Sequence, residues 1–205
     1  MKKIFAIICA LVLCAVFLTG CGAKSYSFLA PNVTVENLKD AIVAAAISAE
    51  DFDAEKMTLS FEAFDKIYFD AVDISKMEVK DTLVLPGSEK LVIESMERDE
   101  GGDLLINGGA EKNGVTLRSA GGGVFCQMLA FDDAYAMQSL GKTVLPLSEE
   151  VTLSDDADLD APHTEISARK LAEYIAADRF SFTAHNTSLL VEGGVITEIH
   201  RVYVP

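Results

Sequence analysis

The 205-residue chain has no tryptophan, three histidines and 17 basic residues against 32 acidic ones. Each shortage narrows the function. Sugar-binding clefts commonly use broad aromatic platforms, so the missing tryptophan weighs against a carbohydrate site. With 32 acids, no pair stands out as the two carboxylates that glycoside hydrolysis needs. His163, His185 and His200 are far apart, none at metal-ligand spacing, and no His-Glu-x-x-His occurs. There is no Gly-x-Ser-x-Gly elbow and no phosphate loop; Gly121-Gly122-Gly123 lacks the Lys and Ser/Thr that would follow, and reads as a turn or bulge. Three of the four cysteines fall within the first 21 residues. Cys126 is the only thiol beyond them, so the body of the monomer has no internal disulfide. Its neighbours Val124, Phe125, Met128 and Leu129 are apolar, as expected for a buried thiol rather than a nucleophile.

What the chain does have begins at its N-terminus. Lys2 and Lys3 precede an apolar run from Ile4 to Phe17, and Leu18-Thr19-Gly20-Cys21 follows. Basic start, apolar core and small-residue break make a secretory signal peptide over residues 1–20. The run falls short of the ~20 residues of a spanning helix. Its last four residues resemble a lipobox, and the chain is similar to bacterial lipoproteins. The resemblance implies diacylglyceryl transfer to the Cys21 thiol, cleavage before Cys21 and palmitate-type acylation. Two acyl chains anchor stably where one is marginal. The expected location is the cell membrane, lipid-anchored on its extracytoplasmic face in the cell envelope.

Residues 21–31 form the lipidated cysteine and a tether, of which ~10 extended residues reach about 35 Å. Without Lys2 and Lys3 the body carries 15 basic residues against 32 acidic. It repels nucleic acid and anionic bilayers, so the lipid must hold it near a surface its own charge avoids. A basic partner, a cationic ligand or a divalent ion suits that sign, as does plain solubility.

The residue pattern predicts an α+β body, mostly antiparallel β, barrel-like or a sandwich, with two helices. Thr34 as N-cap, Glu36, and Leu38, Ala41, Ile42 and Ala45 at three- and four-residue spacing predict a helical segment within 32–55. Residues 56–205 form the β-rich body. Met57, Leu59 and Phe61 alternate with polar residues, and short apolar segments follow at 82–85, 90–95, 103–106, 115–118 and 124–131. Residues 143–147 and 151–153 read as two further strands. A second helix is expected near 167–177, with Leu171, Tyr174 and Ile175 on one face. A hairpin across Gly193-Gly194 closes the chain, with Arg201 on its more apolar face and His200 half exposed on the other.

Phe69-Asp70-Ala71-Val72-Asp73-Ile74, Asp81-Thr82-Leu83-Val84-Leu85, Leu104-Leu105-Ile106-Asn107-Gly108-Gly109 and the segment from Val195 to Pro205 carry a further resemblance. They are similar to a group of uncharacterised lipoproteins of Gram-positive anaerobes, over roughly residues 57 to 205. The group implies an anchored extracytoplasmic protein and supplies no catalytic residues. It also implies a glycine before Asp81-Thr82, where this chain has Lys80.

Two stretches are candidate sites. Asp156, Asp158 and Asp160 alternate as at the start of a calcium loop. Ala161 and Pro162 follow where a glycine turn is wanted, and Ser167 stands at the bidentate position, so a solvated acidic loop is the competing reading. Tyr135, beside Asp132 and Asp133, is a candidate exposed ligand contact, against an aromatic packed on the sheet. The expected function is non-catalytic binding of a ligand or envelope partner near the membrane. The alternatives are an envelope hydrolase using acidic residues and a calcium-stabilised structural module.

Overall fold

The computed structural model describes residues 23–130, 134–157, 164–177 and 181–204. Two hydrophobic cores organise them, and the α+β, mostly β class expected from the sequence is the one observed.

The first lobe is a barrel. After β1 (Ser25–Ser27), the chain enters β2 (Ala41–Ala46), a short edge strand β3 (Phe52–Asp53) and β4 (Thr58–Lys66). The predicted helix within 32–55 is not formed. Thr34 to Asn37 is a single turn, and the stretch that follows is β2, where Val43 and Ala45 point inward and Ile42 outward. The helical spacing of Leu38, Ala41, Ile42 and Ala45 is real, but a period of two through Val43, Ala45 and Ile47 is the one that buries surface. Pairing with β4 decides it, since tertiary context overrides alanine's helix propensity.

The chain then leaves for a second lobe and returns as β12 (Met137–Asp156), a single 20-residue strand where two were expected. Bulges let one strand do two jobs. Residues up to Pro146 pair antiparallel with β4, with Leu140 as an extra residue beside Gly141 (φ +107°). From Leu147 onward the strand pairs in parallel with β15 (Val195–Val202). Between them in sequence lie β13 (Thr164–Ser167), the helix over Ala168–Ala177 and β14 (Thr187–Glu192). β14 pairs with both β15 and β2, so β2, β4, β12, β15 and β14 close on themselves. With a helix between its third and fourth strands, this is the connectivity of an OB-fold barrel. Leu171 and Ile175, one turn apart, seat the helix in the barrel core beside Phe61, Leu153 and Ile196. The expected final hairpin is present, and Gly193 and Gly194, at φ +58° and +81°, give the two left-handed positions its turn requires.

The second lobe is inserted between β4 and β12. It comprises β5 (Tyr68–Asp70), a one-turn helix α1 (Ala71–Ile74), β6 (Thr82–Val84), β7 (Lys90–Val92), β8 (Met96–Arg98), β9 (Leu104–Ile106), β10 (Val115–Gly121) and β11 (Val124–Met128); the helix over Ala168–Ala177 is therefore α2. Five strands form a sheet in the order β5-β11-β10-β9-β8, and β1 joins β6 and β7 in a second. Phe69, Leu83, Ile93, Ile106 and Leu117 lie in the core between them. The sequence motifs here are anchors of the backbone. Asp70 caps α1 by accepting from the N–H groups of Val72 (2.7 Å) and Asp73 (3.2 Å). Buried Asp81 accepts from Lys24 N (2.8 Å) and Glu78 N (3.0 Å), which ties the N-terminal strand to β6 and holds the carboxyl below its usual range.

Candidate functional site

Three chain segments join the two lobes, and two of them lie side by side. One leaves the barrel as Lys66-Ile67-Tyr68; the other re-enters as Tyr135-Ala136-Met137. Ile67 N donates to Ala136 O (3.1 Å), Gln127 N to Ile67 O (3.0 Å) and Ala136 N to Gln127 O (2.8 Å). Leu29 N donates to Tyr68 O (2.7 Å), so the segment that leads out of β1 crosses the same neck.

A cavity of about 490 Å³ opens there, within the range of about 300–1,000 Å³ common for small-molecule sites. The barrel contributes Asp65 and Lys66 from the end of β4, and the inserted lobe contributes Tyr68, Val124 and Cys126. Tyr135 comes from the return segment, and Leu29, Ala30 and Val33 form an apolar wall. Sequence reasoning selected Tyr135 alone from this group, and the structure places it in the cavity.

The charges are arranged unusually. The Lys66 ammonium lies 3.9 Å from the centre of the Tyr135 ring, a cation–π contact. It makes no hydrogen bond or ion pair to any described residue. The neighbouring Asp65 carboxylate accepts from the Lys66 backbone N–H (2.8 Å) rather than from its ammonium. Partial burial pushes the Asp65 carboxyl above its usual value, opposed by that N–H and by the Lys66 charge. Asp65 and Lys66 thus both line the cavity, and no ion pair joins them.

Cys126 stands opposite Tyr68 in the β5–β11 pairing and is 1% exposed. Burial pushes its thiol up, against the lowering effect of Lys66 and of a hydrogen bond with Tyr68. The thiol is therefore protonated at neutral pH, in keeping with the inert role read from its apolar neighbours. Tyr68 is likewise pushed up by burial, then by Cys126 and Asp65.

Other sites fit less well. A second cavity of about 380 Å³ lies over β9 and β10, but its one cation, Arg118, is already forked onto Asp103 (Nε 2.9 Å, Nη2 2.8 Å to Oδ2). The outer face of β4 and β12, a frequent binding surface on barrels of this connectivity, carries Glu62 and Ser139, which satisfy each other at 2.6 Å.

Of the proposed calcium ligands, Asp156 is the last residue of β12, with one oxygen 3.1 Å from His200 Nε2. Asp158 and Asp160 lie outside the described residues, as does Cys21. Among the described residues, no group of three or more His, Cys, Asp or Glu side chains could hold a metal ion, and no helix is long and apolar enough to cross a membrane. His200 is half exposed, as expected, and Arg201 is fully buried.

No family model matches the chain, and searches of curated proteins and of solved structures return no match.

Proposed function

We propose that this chain is a lipid-anchored extracytoplasmic lipoprotein whose body binds a small molecule, without catalysis, in the cavity between its two lobes. The observation that carries this reading is the half-buried Lys66, which lines a cavity of about 490 Å³ and whose ammonium lies over the Tyr135 ring without a hydrogen bond or ion pair to any described residue. A cation that meets no hydrogen-bonding partner among the described residues, at the edge of a partly apolar cavity, is one that a ligand could engage. Anchoring rests on the basic-apolar leader ending in Leu18-Thr19-Gly20-Cys21. The raised thiol of Cys126 disfavours that side chain as a nucleophile in the cavity. The net charge of −15 disfavours nucleic acid as the partner.

A thermal-shift screen of amino acids, short peptides, wall fragments and calcium, with a chelator control, tests this on the full chain. A companion variant, Ala30→Trp, fills the mouth of the cavity from an exposed wall position. A ligand at about 100 times its dissociation constant stabilises the fold by about 2.7 kcal/mol, a shift of a few degrees at this size. The expected result is at least one small-molecule shift that Ala30→Trp removes. Shifts that survive in that variant, or a response to calcium alone, would defeat the proposal.

A further inference from the structure

We infer that the ligand of the inter-lobe cavity is an amphiphilic monoanion, a carboxylate carried on an apolar chain, with that carboxylate on the Lys66 ammonium. This rests on the reading of the cavity as a binding site and adds the chemistry of what fills it.

Strand register fixes which side chains form the floor of the cavity. Tyr68 stands opposite Cys126, and Tyr135 opposite Met128. Paired residues project to the same side of a sheet, as do alternate residues along a strand. Tyr68, Val124, Cys126 and Tyr135 therefore share one face of the β5–β11 pairing, and all four line the cavity. Phe69 and Phe125, on the other face, pack into the core of the inserted lobe. Leu29 and Val33 come from the segment between β1 and β2, which the Leu29 N–H ties to Tyr68 O.

The Lys66 ammonium is placed by what it touches. It lies over the Tyr135 ring, and its charge acts on the Cys126 thiol. Both of these residues border this cavity. Neither borders the neighbouring one beside Ile42 and Phe64, which Lys66 also lines. One positive group therefore stands over a floor of aromatic and aliphatic side chains.

Charge selects among apolar chains that could lie there. A cationic one would meet Lys66. A neutral one would strip water from an ammonium that has no hydrogen-bonding partner among the described residues, which costs free energy. A carboxylate supplies that partner through a charge-assisted hydrogen bond. The net charge of −15 opposes an anion at long range. Salt screens that field beyond about 8 Å, and the Lys66 contact acts well inside this distance.

Isothermal titration calorimetry on the full chain decides this with octanoate, octanamide and octylammonium, which share a chain length and differ in charge. Octanoate should bind tighter than either of the others by about tenfold or more. Lys66→Met keeps an unbranched stem against Tyr135. It should weaken octanoate about tenfold while leaving octanamide unchanged, which also shows that the variant folds. Equal binding of octanoate and octanamide overturns the inference, as does a Lys66→Met variant with undiminished octanoate affinity. No response to octanoate or decanoate at millimolar concentration overturns it too. The cavity reading falls separately, only if Ala30→Trp blocks no ligand that the wild type binds.

Discussion

Arg201 and Asp155 face each other across the parallel seam between β15 and β12, and each side chain is 1% exposed. The guanidinium forks onto the carboxylate, with Nε at 3.0 Å from Oδ1 and Nη2 on Oδ2. Tyr174 from α2 donates to Oδ2 (2.7 Å) and Ala157 N to Oδ1 (2.9 Å), while the Phe182 ring lies 4.1 Å from the guanidinium carbon. The carboxylate is thus bonded on both oxygens, which is what makes a buried ion pair tolerable. The network joins the closing seam of the barrel to the helix that plugs it.

Breaking one half of this pair should cost far more than removing both. Arg201→Met strands a buried carboxylate and is expected to lower stability by about 3–5 kcal/mol. Adding Asp155→Leu should recover a large part of that loss. Urea unfolding of the two variants and the wild type measures both. A double variant no more stable than Arg201→Met would mean that packing, not charge, makes the site sensitive.

Acid should act through the same carboxylate. Burial pushes Asp155 upward, but Arg201, Ala157 N–H and Tyr174 together hold it below its ordinary value. A lowered carboxyl contributes stability that is present above the unfolded value, about 3.9, and is lost as pH falls through the folded value. The melting temperature of the wild type should therefore fall below about pH 4, more steeply than that of Asp155→Asn. A gap between the two proteins that stays constant into strong acid would show that Asp155 is not the group being titrated.

Lys80 occupies a backbone position that suits glycine. Its φ is +83°, and its N–H is held by Ile93 O (2.7 Å). A left-handed conformation costs a side-chain-bearing residue about 1–2 kcal/mol. Lys80 is exposed, so little packing is lost by removing it. Lys80→Gly is expected to stabilise the fold by about 0.5–1 kcal/mol after the greater freedom of unfolded glycine is subtracted. Chemical denaturation would show it as a raised midpoint at unchanged slope; a lowered midpoint would refute the strain argument.

What could be read from the sequence follows from range. The closing turn is legible because Gly193-Gly194 acts within a few residues. The burial of Arg201 was legible from its place beside Ile199 on an apolar alternation. A bulge at Thr197 interrupts that alternation and turns both Ile196 and Ile199 inward, which no local spacing announces. β2 was read as a helix because its alanines fit either period until β4 and β14 supply partners. The cavity was out of reach except for Tyr135. Lys66 and Tyr68 meet Cys126 and Tyr135 through an insertion that carries its own core, and no local spacing encodes that encounter.

The separateness of the two cores can itself be tested at Gly114. This residue precedes β10, and a Cβ there would lie 2.0 Å from the carbonyl oxygen of Ile106. The obstacle is backbone, so the β9–β10 connection must move. Gly114→Ala should cost about 3 kcal/mol, and the cost should fall on the inserted lobe, since Ile106, Val115 and Leu117 belong to its core alone. Hydrogen exchange read by mass spectrometry should then show lost protection in β9, β10 and β11. Protection in β14 and β15 should persist, because their partners β2 and β12 lie in the barrel. Cavity binding should weaken as well, since β11 supplies one of its walls. An equal loss of protection in both lobes would mean that the neck couples them into one cooperative unit, and that the cavity opens only with the whole molecule.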